Sequence, residues 1–283
     1  MSNLLPRIEF GLQALVCQQR VCPFCQGQRH TVVARKHGVV RIRRCDGCSL
    51  YFTDPIYKSR LANLYDSTLY DAEGSTTALP TRPELERLKQ SRFEASDKNC
   101  LGQIEALRHL GAGKRMLEIG SSWGYFLYQA SAAGFDAIGV EPNRVRREYG
   151  TRELSVDIRS SLDEVTERDF DVIYSAHTLE HIAEPNVFFA ACGDRLRPGG
   201  LLAIEVPHFD LALLGAQALS VIGAVHPLGL SQPFFRNALP SAGFEPRGVY
   251  NDWAAVLDDR DTKLREGSLI VIAEKTTGSL SPQ

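Results

Sequence analysis

The 283-residue chain lacks an excess of charge of either sign. Its 32 Lys and Arg stand against 34 Asp and Glu, so the net charge of −2 sets up no strong field to draw in nucleic acid or an acidic membrane. It also lacks any run of 18 consecutive apolar residues. The nearest approach, Leu211 to Val225, is free of charge but broken by Gly215, Gln217, Ser220 and Gly223, which predicts a buried or lid-like helix rather than a membrane span. The first twenty residues lack the early positive charges, unbroken apolar stretch and small-residue cleavage site of a secretory leader, so a cytoplasmic protein is expected. At 43% hydrophobic and 23% charged residues, the composition excludes disordered, collagen-like and coiled-coil chains.

What is present is unevenly distributed. Residues 1–60 carry a surplus of basic residues, leaving the remainder acidic, so a small basic module precedes an acidic body. Seven cysteines make an odd count, and in a reducing compartment metal binding is favoured over a disulfide framework. Cys22-Pro-Phe-Cys25 and Cys45-Asp-Gly-Cys48 have the C-x2-C spacing and separation of a structural zinc site, in which four thiolates close a tetrahedron and leave no position for water. Between the two pairs, Thr31 to Lys36 and Val39 to Arg43 have strand composition around His37-Gly38, which predicts a β-ribbon. Arg41 and Arg43 alternate with Val40 and Ile42, giving one basic and one apolar face. That basic face either binds a phosphorylated group or is solvated and offsets the thiolate charge. Cys17, Cys100 and Cys192 stand alone and read as buried or free thiols.

Residues 61–110 read as a linker or lid, with Tyr65 and Tyr70 placed to fold over a ligand and helical spacing from Pro83 to Leu110. From residue 111 to the end, strands and helices alternate. Strands are expected at Arg115 to Ile119, Asp136 to Val140, Leu154 to Ile158, Phe170 to Ala176 and Leu201 to Val206. Helices are expected at Trp123 to Ala133, Asn143 to Gly150, Ser161 to Arg168 and Pro185 to Leu196. A helix at Pro233 to Leu239 and strands at Phe244 to Tyr250 and Leu269 to Glu274 complete the pattern. This rhythm predicts an α/β, doubly wound, Rossmann-like and mostly parallel sheet of seven strands, with residues 206–243 as an insert covering the substrate.

In such a sheet the ligand lies beyond the carboxyl ends of the strands, near the first βα turn. Here that turn is Glu118-Ile119-Gly120-Ser121-Ser122-Trp123-Gly124, with Glu141 ending the second strand, placed to take the two hydroxyls of a ribose. A dinucleotide fingerprint needs glycine where Ser122 and Tyr125 stand, so a pyrophosphate is disfavoured. The motifs LEIGSSWG at 117–124, FDVIYSAHTLEHI at 170–182 and LRPGGLLAIEVP at 196–207 resemble those of class I S-adenosylmethionine-dependent methyltransferases. The resemblance implies that Glu118, Gly120, Ser122 and Gly124 approach the amino-acid part of S-adenosylmethionine, Glu141 the ribose, Asp157 and Ile158 the adenine, and His177 the methionine moiety.

The ribbon-first arrangement, with CPFC at 22–25 and CDGCSLYFTDP at 45–55, resembles that of sugar C-methyltransferases. Those enzymes carry Glu-His-Leu-x-Tyr after the fifth strand. Val225-His226-Pro227-Leu228-Gly229 keeps the His and loses the Glu and Tyr, and the chain is shorter than theirs. The expected function is methyl transfer to a small molecule, a nucleotide sugar or other glycan or natural-product precursor. The alternatives are a zinc-ribbon RNA methyltransferase and a non-catalytic scaffold that keeps the cofactor fold. A histidine with pKa near ~6.5 suits removal of an acceptor proton. His226 is the preferred base, His208 follows, and Glu180, His181 and His177 complete the catalytic candidates.

Overall fold

In a computed structural model of the protein, residues 19–38, 40–56, 78–258 and 264–277 are described. Cys17, Tyr65 and Tyr70 lie outside the described residues.

Three antiparallel strands form the ribbon: β1 (His30–Lys36), β2 (Val40–Cys45) and β3 (Tyr51–Asp54). The expected two faces of β2 are present: Val40 and Ile42 are buried while Arg41 and Arg43 are not. The seven-stranded sheet holds β4 (Arg115–Ile119), β5 (Asp136–Val140), β6 (Asp157–Arg159), β7 (Phe170–Ala176), β8 (Leu196–Pro207), β10 (Phe244–Tyr250) and β11 (Ser268–Lys275). Its order is β10-β11-β8-β7-β4-β5-β6. Strands β4 to β8 run parallel, and β11 enters antiparallel between β8 and β10. The central strands are continuous apolar runs because helices cover both faces, so Leu117, Val172 and Ile173 are fully enclosed.

The sheet that begins in the ribbon ends in the body. The two-residue strand β9 (Leu228–Gly229) pairs with β3, and Thr53 N donates to Pro227 O at 2.8 Å. Phe24 meets Phe189 and Phe234 edge-to-face, and Cys22, Leu50 and Phe52 share one apolar cluster with Ile204, Phe188 and Leu239. The ribbon's hydrophobic surface is thus part of the main core.

Helices flank the sheet in chain order. Helix α1 (Arg82–Gln90) starts at Thr81, which with Glu84 forms a capping box, and α2 (Leu101–His109) follows. A single helix over 83–110 does not form. Arg92, Phe93 and Ala95 adopt positive φ, and this turn drives Phe93 inward against Trp123 and Tyr128. Next come α3 (Tyr125–Ala132) and α4 (Arg144–Tyr149), the latter extended by a wide turn through Leu154 that shortens the third parallel strand to residues 157–159. The helix expected over 161–168 is one tight turn, Leu162–Glu164. Glu164 closes it by accepting from Ser160 N and Oγ, after which Val165 turns into the core. Helix α5 (Pro185–Arg195) precedes β8.

The charge-free segment is not one long helix. Helix α6 (Leu211–Leu214) ends at Gly215, whose φ of +59° breaks it, and a 3-10 turn continues to Ser220. The segment lies on the ribbon, where Ala218 and Ile222 pack with Ile42, Tyr51 and Phe209. Lys36 Nζ donates to the Leu219 and Ile222 carbonyls at 2.8 and 2.7 Å. Helix α7 (Gln232–Ser241), capped by Ser231, and α8 (Trp253–Leu257), capped by Asp252, complete the layers. Among the described residues no helix is long and apolar enough to cross a membrane.

Candidate functional site

The carboxyl edge of the sheet is shaped first by backbone geometry. Gly120 leaves β4 at φ +89°, and a Cβ there would lie 1.9 Å from Thr178 Oγ1, so only glycine lets the loop pass the end of β7. Ser122 takes φ +50° and Gly124 φ +80°, so the chain reverses before α3. Gly139 on β5 leaves room for Ser121, whose hydroxyl donates to the carbonyls of Glu118 and Val140. Two loops are then joined by one carboxylate: Glu141 Oε2 accepts from Ser122 N at 2.9 Å and Oε1 from Asn143 N at 2.8 Å. Burial pushes the Glu141 carboxyl up, against these two bonds and the nearby Arg146. The carboxylate thus fixes Asn143, whose own side chain caps α4 by accepting from Arg146 N, and remains at the strand edge with lone pairs left on both oxygens.

Glu118 is buried, one of its oxygens has no partner among the described residues, and burial holds its pKa well above the ordinary carboxylate range. A buried acidic group of this kind beside a glycine-lined turn fits a polar, cationic ligand group. Asp157, expected beside the adenine, stands back from the strand edge. It pairs across from Ile138, two residues short of the end of β5, and its carboxylate is occupied by Arg159 at 2.6 Å. Ile158 points into the core toward Gly124 and Gly150. The residues that reach the edge are Arg159, whose carbonyl accepts from Glu141 N, and the serines that follow it.

A second group gathers on the neighbouring strand ends. His177, at φ +48° just beyond β7, is half exposed and stands between Glu180 Oε1 at 3.7 Å and Glu205 Oε1 at 3.6 Å. Burial acts to lower its pKa, but the two carboxylates outweigh that and push it up to about 10, so His177 keeps its proton at neutral pH. Glu205 is held by Trp253 Nε1 and Ser268 Oγ, both at 2.8 Å. Sequence reading missed Glu205, although a lone carboxylate in the run LLAIEVP was its signal.

His181 and His226 lie together, rings 4.5 Å apart and nearly perpendicular. His181 Nδ1 bonds the Val225 carbonyl at 3.0 Å and His226 Nδ1 the Val221 carbonyl at 2.9 Å. A carbonyl only accepts, so each Nδ1 carries a hydrogen, and Nε2 is the ring atom left to face a ligand. His208 is elsewhere. It is 1% exposed at the end of β8, and its Nδ1 bonds the Arg265 carbonyl at 2.8 Å, a burial that keeps an acceptor out of reach.

In the ribbon, Cys22 Sγ lies 3.5 Å from Cys48 Sγ and Cys25 Sγ 3.5 Å from Cys45 Sγ, with all four within 4.8 Å of one another. Zinc held by ~2.3 Å bonds to sulfur has tetrahedral edges of about 3.8 Å, so this donor set fits the ion. Gly27 and Gly47 lie against the sulfurs of Cys25 and Cys45, where a Cβ would come within 3.3 to 3.9 Å. On the basic face, two guanidinium groups share one carboxylate. Arg41 Nε and Arg43 Nε both donate to Asp54 Oδ2 at 2.7 Å, because β2 and β3 pair Arg41 directly across from Asp54.

Comparison with known proteins agrees with this geometry. A family model described as a methyltransferase domain matches residues 93–247. The ubiquinone biosynthesis O-methyltransferase of Bradyrhizobium diazoefficiens is 26% identical over 191 residues, 65% of each chain, so this chain spans just under two thirds of that relative. The enzyme of the same name from Nitrosococcus oceani is 34% identical over 128 residues, 42% of this chain and 53% of that one. These relatives are O-methyltransferases, which moves the acceptor expectation away from nucleotide sugars. Among solved structures, the TehB-like S-adenosylmethionine-dependent methyltransferase of Corynebacterium glutamicum superposes with a TM-score of 0.50 at 18% identity, covering 68% of this chain and 96% of that one. An S-adenosylmethionine-dependent methyltransferase of Clostridium acetobutylicum gives 0.52 at 9% identity, covering 68% and 97%. Fold and family model therefore coincide: residues 93–247 form an S-adenosylmethionine-dependent methyltransferase domain, and the chain belongs to the methyltransferase-domain family.

Proposed function

We propose that the protein transfers the methyl group of S-adenosylmethionine to a hydroxyl of a small-molecule acceptor. The observation that carries this reading is the position of two imidazoles, His181 and His226, whose Nδ1–H groups are committed to main-chain carbonyls and whose Nε2 atoms are left for an acceptor, one strand end away from the Gly120–Gly124 turn and Glu141. The cofactor supplies an already activated methyl group. The protein's work is to bind it, align the acceptor in line with the breaking bond, exclude water and take up the hydroxyl proton.

In this reading Glu118 and the Gly120–Gly124 turn receive the amino-acid part of the cofactor and Glu141 its ribose. The acceptor lies beside the Glu180, His181 and His226 cluster. His177, protonated between two carboxylates, supplies charge and no base. The nucleotide-sugar reading gives way because the relatives are O-methyltransferases, and the RNA reading is weakened because Arg41 and Arg43 both direct their Nε donors to Asp54. A structural zinc in the Cys22, Cys25, Cys45 and Cys48 set belongs to the same reading, its role being to hold the ribbon against the core.

The test is transfer of labelled methyl from S-adenosylmethionine into a fractionated cell extract, with calorimetry of cofactor binding. Label in small, nuclease-resistant molecules is expected, with His226→Ala lowering the rate by ~10²-fold at unchanged cofactor affinity. Label released by ribonuclease, or absence of cofactor binding, refutes it.

A further inference from the structure

The cluster at the acceptor side has a property that proton transfer alone leaves unexplained: every atom it turns inward is an acceptor. The imidazole hydrogens of His181 and His226 are both committed to main-chain carbonyls, Val225 O and Val221 O, on the loop that carries His226 itself. Glu180 is 2% exposed, and its Oε2 has no partner among the described residues. One ligand atom from each of Glu180, His181 and His226 lies within 4.8 Å of the other two, and Glu180 Oε1 is 4.0 Å from His181 Nε2. His177 faces Oε1 alone, so a buried carboxylate oxygen without a partner stands beside two imidazoles whose Nδ1–H groups are already committed, a donor set that a cation would join.

We propose that Glu180, His181 and His226 bind a divalent metal ion of the zinc class, separate from the ribbon ion and deepening the reading of this site as the acceptor side. Two imidazole nitrogens and one carboxylate oxygen form a donor set that zinc takes in sites with an open fourth position. Bonds of ~2.1 Å place tetrahedral ligands about 3.4 Å apart, so the present spacing closes by side-chain rotations of about 1 Å. Both imidazoles already meet the usual requirement that a ligating histidine donate its other N–H to a carbonyl. His226 is only half buried, which leaves a way in for the ion and for an acceptor oxygen at the open position. Among the described residues, His177 approaches the outer oxygen of the carboxylate, Glu180 Oε1, at 3.7 Å. The ligand class that follows for the acceptor is a hydroxyl able to coordinate a Lewis acid; its acidity rises on doing so, and in the ion-bound form its proton leaves to solvent on the half-buried His226 side in place of an imidazole.

The experiment saturates the full-length protein with Zn²⁺, removes loose ion by gel filtration and counts metal by mass spectrometry, with Co²⁺ substitution read in parallel. Two ions per chain are expected in the native protein and one in Glu180→Gln and in His226→Gln. The Co²⁺ spectrum should keep the intense thiolate bands of the ribbon and lose the weaker bands of a nitrogen and oxygen site. One ion with thiolate bands alone in the native protein overturns the proposal, as does retention of both ions in folded variants. If a variant fails to fold, the native count and spectrum still decide. Calorimetry with S-adenosylmethionine separates the two readings. Cofactor binding with a single ion sinks the metal site alone, and two ions without cofactor binding sink the methyltransferase reading alone.

Discussion

Glu141→Gln isolates the cofactor role of one residue from its structural role. The native carboxylate accepts two backbone N–H groups, at 2.8 and 2.9 Å, and in the proposed complex also faces two ribose hydroxyls. The amide keeps one acceptor oxygen but turns an NH₂ toward either Ser122 N or Asn143 N, so one of the two loop bonds becomes a donor facing a donor. Hydrogen bonds to charged groups contribute about 1.5–3 kcal/mol each. Loss of one loop bond should therefore lower unfolding free energy by about 1–3 kcal/mol, read from urea melts. Loss of one charged bond to the ribose should weaken S-adenosylmethionine binding by roughly 10- to 100-fold, since about 1.4 kcal/mol is tenfold in Kd. Glu141→Asp retracts the same charge by one methylene and should lose affinity too. Calorimetry at fixed salt gives the Kd. A Kd within twofold of native, accompanied by the full fall in stability, refutes the cofactor role and leaves Glu141 a pin between two loops.

Three further outcomes follow from the same geometry. Gly124→Ala places a Cβ 2.7 Å from Val156 Cγ2 at φ +80°, and should cost about 1–3 kcal/mol in a thermal or urea melt; an unchanged midpoint contradicts the described turn. Asp54→Asn leaves Arg41 and Arg43 facing a neutral group and should destabilise by about 3 kcal/mol. Burial acts to raise the Asp54 pKa, but Arg41, Gln19 N and Arg43 bring it below the ordinary 3.8, so this stability is full above that value and lost as pH falls through the lower folded one. The Asn variant should lack that acid limb, and an identical pH profile would exclude the pairing. Stripping the ribbon ion with a chelator should lower the midpoint of one single transition, because ribbon and body share a core; two separate transitions would contradict it.

Where burial on both faces decides, the sequence was readable to the residue. Strands β4, β5 and β7 begin and end where their apolar runs meet charged or turn residues, and the Gly120–Gly124 turn and Glu141 follow from the strand ends. Reading failed where a distant partner decides. The pairing of Arg41 and Arg43 with Asp54 depends on the register of β2 against β3, which no local pattern encodes. The break in the 83–110 helix depends on Phe93 finding Trp123, thirty residues on. Asp157 matched a position along the chain, yet the wide turn after α4 delayed the strand and left the residue short of the edge. The four histidines were visible as residues. Their separation into a protonated one, a buried one and a facing pair rests on Glu205, Arg265 O and Val225 O, which are remote in sequence from His177, His208 and His181, and on the local turn that brings Val221 O to His226.

Strand β9 gives the ribbon a claim on the reaction that proximity alone would not. His226 stands two residues before Leu228, which pairs with Phe52, itself four residues past Cys48. The acceptor-side histidine is thus hung from a strand whose shape is set by the cysteine knuckle, with Pro227 O anchored on Thr53 N. A chain beginning after the ribbon would keep every residue of the cofactor turn and lose the rail on which His226 is positioned. On the proposed reading, oxidation of the thiols would disturb β3 and, through its pairing with β9, the placement of His226.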